Sequence, residues 1–282
     1  MKKSMNKRKR KMKSSIFENS KNVFLDSVNA RDYVQLDRVS TIYQSLKDSV
    51  KKPLKMILLY GKPGTGKSMF LTKLHHDLSS SQKVYIYQTP ILDESEFFKS
   101  LARDIFDVKY KGELNFTQFM LFVKVNMVQD DKVPLVLLDE AQLYSSAQME
   151  KIRLLSDTRS VKFVITLHKT EKEDLIAKEH FQTRIWESIE LENASTNELK
   201  IYIQKKLMKA NCFDSANMFS QKPVNLIYKL TKGNYRDTNK LLYTLFDIYS
   251  WYYENNPSNL KTDIISKKII EMSAIHTGLI NA

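Results

Sequence analysis

The feature that most constrains the fold of this chain is a glycine-rich loop at residues 61–68, Gly-Lys-Pro-Gly-Thr-Gly-Lys-Ser. The loop fits the pattern Gly-x-x-x-x-Gly-Lys-Ser in full. An apolar run at residues 56–60 precedes it, and a helical pattern over residues 68–78 follows it. A strand before such a loop and a helix after it are the context in which the loop binds phosphate. The sequence therefore predicts a phosphate-binding loop at the edge of an α/β sheet.

The residue types of the loop suit a nucleotide. Glycines let the backbone N–H groups curl around a phosphate, and the next helix directs its positive end at the same group. We expect Lys67 to reach the β- and γ-phosphate oxygens and the Ser68 hydroxyl to ligate Mg²⁺. The expected cofactors are ATP and Mg²⁺. The expected nucleotide-binding residues are Gly61, Lys62, Pro63, Gly64, Thr65, Gly66, Lys67, Ser68 and Met69.

A second motif follows a buried strand pattern. The apolar run at residues 133–138 ends in Asp139 and Glu140, and ligands of open α/β sheets bind beyond the carboxyl ends of the strands. We expect Asp139 to orient the hydration shell of Mg²⁺, because this cation prefers oxygen ligands and retains water. Glu140 is the candidate general base that polarises the attacking water.

The string Asp-Glu-Ala-Gln at residues 139–142 also occurs in superfamily 2 helicases. Those enzymes need a second motor domain with arginine-rich motifs, and only 140 residues follow Gln142. We therefore reject the helicase interpretation.

Apolar strand patterns alternate with helical patterns in the first two thirds of the chain. Such alternation predicts a parallel sheet with crossover helices. The predicted strands are 56–60, 83–88, 132–138, 161–166 and 185–191. Only helical patterns follow residue 195, the last of them at 261–275. The predicted organisation is an N-terminal arm at 1–28, an α/β domain at 29–193 and a helical domain at 194–282.

The positive charge is concentrated at the N-terminus. The chain has 45 Lys and Arg against 32 Asp and Glu, and residues 1–13 contain eight of the basic residues and no acidic one. Blocks of like charge stay disordered and often act as arms for nucleic acid or anionic lipid. We expect either such a contact through residues 1–13 or a solvated tail without function.

Several classes of protein are excluded by composition. One cysteine, Cys212, excludes an internal disulfide framework, and no apolar stretch reaches the length of about 18 residues that a membrane span needs. The five histidines show no metal-ligand spacing. We expect a cytoplasmic protein, with any place at the inner membrane reached through a partner.

These motifs together resemble the AAA+ ATPases, and among them the secretion and pilus-biogenesis ATPases of the ExeA/GspA and MshM kinds. The resemblance covers residues 33–242 and rests on these segments in addition to the two motifs: Leu36-Asp-Arg-x-x-x-Ile42, Glu150-Lys-Ile-Arg-Leu-Leu-Ser156 and Gly233-Asn-Tyr-Arg236. It implies a three-layer AAA+ P-loop sandwich with a parallel five-stranded sheet and a C-terminal helical lid domain.

The resemblance also implies roles for four residues. Thr166 or His168 would be sensor 1 at the end of the fourth strand, although family members more often have Asn or Gln there. Arg184 would be an arginine finger, delivered to the γ-phosphate of a neighbouring subunit. Arg236 would be the sensor 2 arginine, which links the lid to the nucleotide.

By resemblance, ATP hydrolysis would drive the assembly or remodelling of a larger complex. We expect the chain to form a homo-oligomer and to bind the proteins of a type II secretion, type IV pilus or DNA-uptake system. ExeA-type proteins carry a membrane span and a peptidoglycan-binding domain, and neither pattern is present, so the MshM kind matches better. The alternatives are a DNA-associated regulator, such as a transposition or replication ATP-binding subunit, and a nucleotide-binding scaffold that barely hydrolyses.

Overall fold

A computed structural model describes residues 16–53, 55–126, 133–169, 185–260 and 262–281. Within these residues the chain divides into two compact units. The sheet unit consists of residues 27–194 and 234–236. The helical unit consists of the residues up to Asp26, Ser195–Gly233 and the residues from Asp237 onward.

A parallel sheet of five strands forms the middle of the sheet unit. The strands are β1 (Met56–Gly61), β2 (Val84–Tyr87), β3 (Leu135–Leu138), β4 (Lys162–His168) and β5 (Ile185–Leu191). Their order is β2-β3-β4-β1-β5, and every neighbouring pair is parallel. The prediction of a parallel five-stranded sheet is confirmed.

Helices cover both faces of the sheet. These helices are α2 (Asp37–Lys51), α3 (Lys67–Leu78), α4 (Glu94–Phe106), α5 (Phe116–Asn126) and α6 (Ser146–Asp157), and α1 (Ile16–Asn22) precedes them in the chain. Because side chains alternate along a strand, Leu58 packs with the buried residues of α4, α5 and α6, whereas Ile57 packs with those of α2 and α3. The inner strand β3 is apolar throughout because both of its faces are buried, whereas the edge strand β5 contains Glu187 and Glu190. This is the predicted three-layer arrangement.

After β5, the chain enters the helical unit at a capping box. The Ser195 hydroxyl accepts from the Glu198 N–H at 3.3 Å, and the Glu198 carboxylate accepts from the Ser195 N–H at 2.7 Å, which satisfies two N–H groups at the helix start. The helices of this part are α7 (Thr196–Lys209), α8 (Phe213–Asn217), α9 (Gln221–Thr231), α10 (Tyr235–Asn255) and α11 (Lys267–His276). The last helix therefore begins six residues later than the pattern at 261–275 suggests.

Helix α1 belongs to the helical unit. Phe17 and Phe24 are each 1% exposed, and their rings lie 6.2 Å and 5.9 Å from the ring of Phe246 on α10. The hydroxyl of Ser20 donates to the hydroxyl of Ser215 at 2.7 Å. The prediction that residues 1–28 form a disordered arm is therefore wrong for residues 16–26, because two buried aromatic rings hold them against the helical unit.

Two further expectations concern other parts of the chain. The expected helical pattern at 170–182 lies outside the described residues. In the part of the chain that the structure describes, no helix has both the length and the apolar character needed to cross a membrane.

Candidate functional site

The glycine-rich loop joins β1 to α3. Gly61 is the last residue of β1, and Lys67 is the first residue of α3. Gly64 has φ +80° and Gly66 has φ +97°, values that L side chains rarely adopt. Apart from its neighbours along the chain, no described residue has a heavy atom within 4 Å of the place where a Cβ of Gly66 would stand. The loop thus presents an open backbone surface directly before the positive end of a helix, which is an anion-binding arrangement.

Lys67 is buried within this loop. Its side chain is 5% exposed, and its Nζ donates to the carbonyls of Gly61 at 2.9 Å and Lys62 at 3.1 Å. The Thr65 hydroxyl donates to the same Lys62 carbonyl at 2.8 Å. The loop therefore folds around the ammonium group, which lies where the expected phosphates would be bound.

The remaining loop residues differ in exposure. Lys62 and Pro63 are exposed, whereas Ser68 and Met69 are half-buried in the first turn of α3. Ser68 therefore remains a prediction as a ligand of Mg²⁺.

Asp139 follows β3 and is joined to β4 by hydrogen bonds. Its side chain is 4% exposed, and Oδ1 accepts from the Thr166 hydroxyl at 2.5 Å and from the Glu140 N–H at 3.0 Å. The Glu140 N–H also lies 3.0 Å from the Thr166 hydroxyl. Both bonds to the Asp139 carboxylate use Oδ1, and Thr166 thereby fixes the orientation of this group.

The Glu140 side chain lies among polar groups. Its backbone is left-handed, with φ +51°, a conformation that costs a non-glycine residue about 1–3 kcal/mol and that often marks functional sites. His168 Nε2 lies 3.1 Å from Oε1, and Gln142 Nε2 donates to Oε2 at 2.5 Å. Gln142 Nε2 also lies 3.3 Å from His168 Nδ1.

The sheet register brings the two motifs to one edge. His168 at the end of β4 pairs with Gly61 at the end of β1, and Ile165 pairs with Leu138 at the end of β3. β4 therefore lies between the strand that leads into the phosphate loop and the strand that leads into the two carboxylates. Both predicted sensor 1 candidates lie on this strand, and they contact different carboxylates: Thr166 contacts Asp139, and His168 contacts Glu140.

Sequence reasoning assigned no role to Asn234, which contacts the outer side of the phosphate loop. Its Nδ2 donates to the Pro63 carbonyl at 2.7 Å, and the Tyr235 N–H donates to the Gly64 carbonyl at 3.2 Å. The Asn234 Oδ1 accepts from the Arg236 N–H at 3.1 Å. The sequence marks the segment Gly233-Asn-Tyr-Arg236 only through the family resemblance. Asn234 and Pro63 are 171 residues apart in the chain, so no local sequence pattern predicts their contact.

Of the two predicted arginines, Arg236 is among the residues that the structure describes and Arg184 is not. Arg236 is exposed at the start of α10, and its role as sensor 2 stays a prediction. Arg184, the predicted arginine finger, lies outside the described residues.

The oxygen ligands at this edge of the sheet fit a Mg²⁺ ion that is bound together with ATP better than a metal ion that is held by protein side chains alone. The described residues contain no group of three or more His, Cys, Asp or Glu that could hold a metal. A magnesium ion needs no such cage, because it is usually bound through one or two carboxylates, water and substrate phosphates. Asp139, with one oxygen fixed by Thr166, and the Ser68 hydroxyl match that mode.

Comparisons with known proteins agree with this architecture. Residues 51–175 match the model of a protein family described as the AAA domain. None of the curated proteins is significantly similar to the chain.

Three solved structures illustrate the likeness in fold. Drosophila ORC bound to DNA is 11% identical, with a TM-score of 0.66 over 97% of this chain and 69% of that one. Cdc6p from Pyrobaculum aerophilum is 15% identical, with a TM-score of 0.66 over 91% of this chain and 70% of that one. The RuvB Holliday junction branch migration motor of Thermotoga maritima is 15% identical, with a TM-score of 0.56 over 89% and 72%.

Identities this low show a common fold and nothing further. The fold likeness extends over nearly the whole chain, and the sequence match covers the segment that contains both nucleotide motifs. Residues 51–175 therefore match the AAA domain model, and the chain has the fold of these solved structures, a parallel five-stranded sheet between helices with a phosphate loop.

Proposed function

We propose that this protein is an ATPase that binds ATP with Mg²⁺ and hydrolyses the terminal phosphoanhydride bond. The observation that carries the proposal is the placement of two motifs on either side of β4: the phosphate loop with buried Lys67, and Asp139 with Glu140. A binding scaffold would have no use for a carboxylate in the position of Glu140.

Each residue has a distinct part in the proposed reaction. The loop amides and Lys67 bind the phosphates and neutralise charge on the transferred group. Ser68 and Asp139 would hold Mg²⁺, which when bound would neutralise further charge on the phosphate oxygens. Glu140 orients the attacking water and accepts its proton. The hydroxyl of Thr166 holds the Asp139 carboxylate in one orientation.

The proposal includes a homo-oligomer in which Arg184 reaches the nucleotide of the next subunit. We expect phosphate release that requires Mg²⁺ and rises more steeply than linearly with protein concentration, because the assembled site is the active one. A coupled phosphate-release assay, with and without EDTA and over a concentration series, measures both properties. Strictly linear dependence would contradict the shared site, and a rate equal to uncatalysed hydrolysis would contradict the ATPase itself.

We further propose that hydrolysis acts on a complex containing nucleic acid, and the distribution of charge supports this over a secretion or pilus apparatus. By sequence, the ranges of the helical unit contain 20 of the 45 Lys and Arg and 9 of the 32 Asp and Glu. The ranges of the sheet unit contain the other 25 and 23. In the sequence, residues 1–13 precede α1, and Phe17 and Phe24 are buried within the helical unit. Phosphate backbones attract such an arm.

Removal of residues 1–13 tests the nucleic-acid proposal. We expect the full chain to bind a non-specific DNA duplex with an affinity that falls as salt rises, because lysines and arginines release counterions from the phosphates. We expect the shortened chain to lose at least about tenfold in affinity at low salt. Fluorescence anisotropy measures the binding, and a variant shortened by three residues serves as the control. Equal affinity of both chains would contradict the proposal, as would tight binding to anionic vesicles without binding to DNA.

A further inference from the structure

The phosphate loop contains a β-turn at residues 62–65. The Thr65 N–H donates to the Lys62 carbonyl at 3.3 Å, which closes the turn. Pro63 is the second residue of the turn, and Gly64, with φ +80°, is the third. Since proline cannot adopt a positive φ, this pattern defines a type II turn. Types I and II differ by a flip of the central peptide, here the one that joins Pro63 to Gly64.

The two central residues of the turn permit either orientation of this peptide. Proline suits the second position of both turn types, and glycine adopts φ of either sign. In a trans peptide the carbonyl and the N–H point in opposite directions, so a flip would reverse the Pro63 carbonyl and the Gly64 N–H together. A contact from outside the turn can therefore select the direction in which the Gly64 N–H points.

Asn234 makes such a contact. Its Nδ2 donates to the Pro63 carbonyl at 2.7 Å, and its Oδ1 accepts from the Arg236 N–H at 3.1 Å. The carbonyl can only accept and the backbone N–H can only donate, so the side-chain amide has one consistent orientation. The next residue, Tyr235, donates its N–H to the Gly64 carbonyl at 3.2 Å. Two consecutive carbonyls of the loop are thus held by two consecutive residues.

The Asn234 amide also fills the space beside the Gly64 Cα. A Cβ at that place would overlap the Oδ1 and Nδ2 atoms of Asn234. Because the Pro63 carbonyl faces Asn234, the Gly64 N–H points away from it, and no described residue accepts a hydrogen bond from this N–H. An N–H of this kind, in a glycine loop before the start of a helix, is a donor that an anion can use.

We propose that Asn234 is a positioning residue for nucleotide binding, which holds the Pro63–Gly64 peptide in the orientation that turns the Gly64 N–H toward the phosphates. The proposal rests on the proposed ATPase function for the identity of the ligand. The orientation of the peptide itself can be measured without nucleotide.

Two variants remove the donor and keep the acceptor. Asn234→Asp has the same size, and Asn234→Ser is neutral. An oxygen of either side chain can accept from the Arg236 N–H at the start of α10, because both residue types cap helices. The aspartate has no N–H for the Pro63 carbonyl, and the serine hydroxyl is one bond short of the Nδ2 position. Asn225→Asp, at an exposed asparagine of α9, is the control for the added charge.

Selective labelling isolates the central peptide of the turn. Pro63-Gly64 is the one proline–glycine pair in the sequence, so ¹³C-labelled proline and ¹⁵N-labelled glycine mark both sides of one peptide only. A type II turn brings the Pro63 Hα close to the Gly64 amide proton, and a type I turn separates them. We expect a strong nuclear Overhauser effect (NOE) between these protons in the unchanged protein and in Asn225→Asp.

The two Asn234 variants should weaken this NOE. Loss of the hydrogen bond should shift the ratio of the two orientations about fivefold toward type I in Asn234→Ser. In Asn234→Asp the shift should be about tenfold or more, because the carboxylate also repels the Pro63 carbonyl. Saturating ADP should restore the NOE in both variants, since a phosphate that binds the Gly64 N–H selects the type II orientation.

The affinity for ATP is the second readout. Affinity falls with the fraction of the protein that is in the binding orientation. We expect Kd to rise about threefold in Asn234→Ser and about tenfold in Asn234→Asp, whose charge also repels the phosphates. In Asn234→Ser, kcat at saturating ATP should change less than about twofold, so that the effect appears in KM. Isothermal titration measures Kd, and phosphate release measures kcat and KM.

The outcomes are distinguishable. An equal NOE in all four proteins would overturn the positioning role of Asn234, whether or not the protein hydrolyses ATP. A weaker NOE with unchanged affinity for ATP would overturn the link between the Gly64 N–H and the phosphates. A weaker NOE with lower affinity, in a protein that does not hydrolyse ATP, would support the positioning role and contradict the proposed function. If Asn234→Asp does not fold, as judged by circular dichroism, Asn234→Ser decides by the same measurements.

Discussion

Replacing Glu140 with Gln is expected to lower ATP turnover by about 10²–10⁴-fold while ATP binding is retained. The substitution keeps the size and one oxygen of the side chain but removes the base, and general-base catalysis contributes a factor of this size. No hydrogen bond among the described residues joins the Glu140 carboxylate to the phosphate loop or Lys67, the residues that we propose to bind the nucleotide. Phosphate release measures turnover, and isothermal titration with ATP measures binding.

A distant glutamate provides the matched control for this result. Glu113 is exposed, and Glu113→Gln changes the net charge by the same amount without touching the sheet edge. We expect both its turnover and its ATP affinity to equal those of the unchanged protein. Wild-type turnover in Glu140→Gln would show that another group accepts the proton. Loss of ATP binding in that variant would show that Glu140 holds the loop together.

The fold, and the place of the two motifs at one edge of the sheet, could be predicted because their signals are local. Five strand patterns alternate with helical patterns, and the loop is specified by eight consecutive residues in which Gly64 and Gly66 take backbone conformations that only glycine adopts easily. Asp139 and Glu140 follow a strand directly. Since the carboxyl ends of parallel strands share one edge of the sheet, the strand order places Asp139 and Glu140 near the phosphate loop.

The contacts that orient these residues had no such local signal. Glu140, Gln142 and His168 contact one another because His168 of β4 lies opposite the 3₁₀ turn at 141–143. The register of β3 against β4 determines which side chain of β4 has this position. The position of α1 depends on two phenylalanines packing on a helix more than 200 residues away along the chain. The sequence interpretation predicted a disordered arm because it followed the basic composition of residues 1–13 and gave the two phenylalanines no part in packing.

The contact between Gly64 and Asn234 leads to the second large effect. A Cβ on Gly64 would overlap the Asn234 side-chain amide, and the backbone there has φ +80°. We expect Gly64→Ala to destabilise the loop by about 1–2 kcal/mol through the left-handed backbone and by about 1–3 kcal/mol through the overlap. In the background of Asn234→Ala only the first cost should remain. Native-state hydrogen exchange of the β1 amides measures the free energy of opening in all four proteins of the cycle.

Gly61→Ala distinguishes removal of this particular overlap from a general loosening of the loop. A Cβ on Gly61 would overlap the backbone carbonyl of Leu191 on β5, which cannot rotate away as a side chain does. We expect a loss of about 1–3 kcal/mol or more, equal with and without Asn234→Ala. If Asn234→Ala reduced the cost of both alanine substitutions, the loop would have relaxed as a whole. If it reduced only the cost at Gly64, the Asn234 amide is the group that requires glycine there, and the outer side of the phosphate loop is held by that amide.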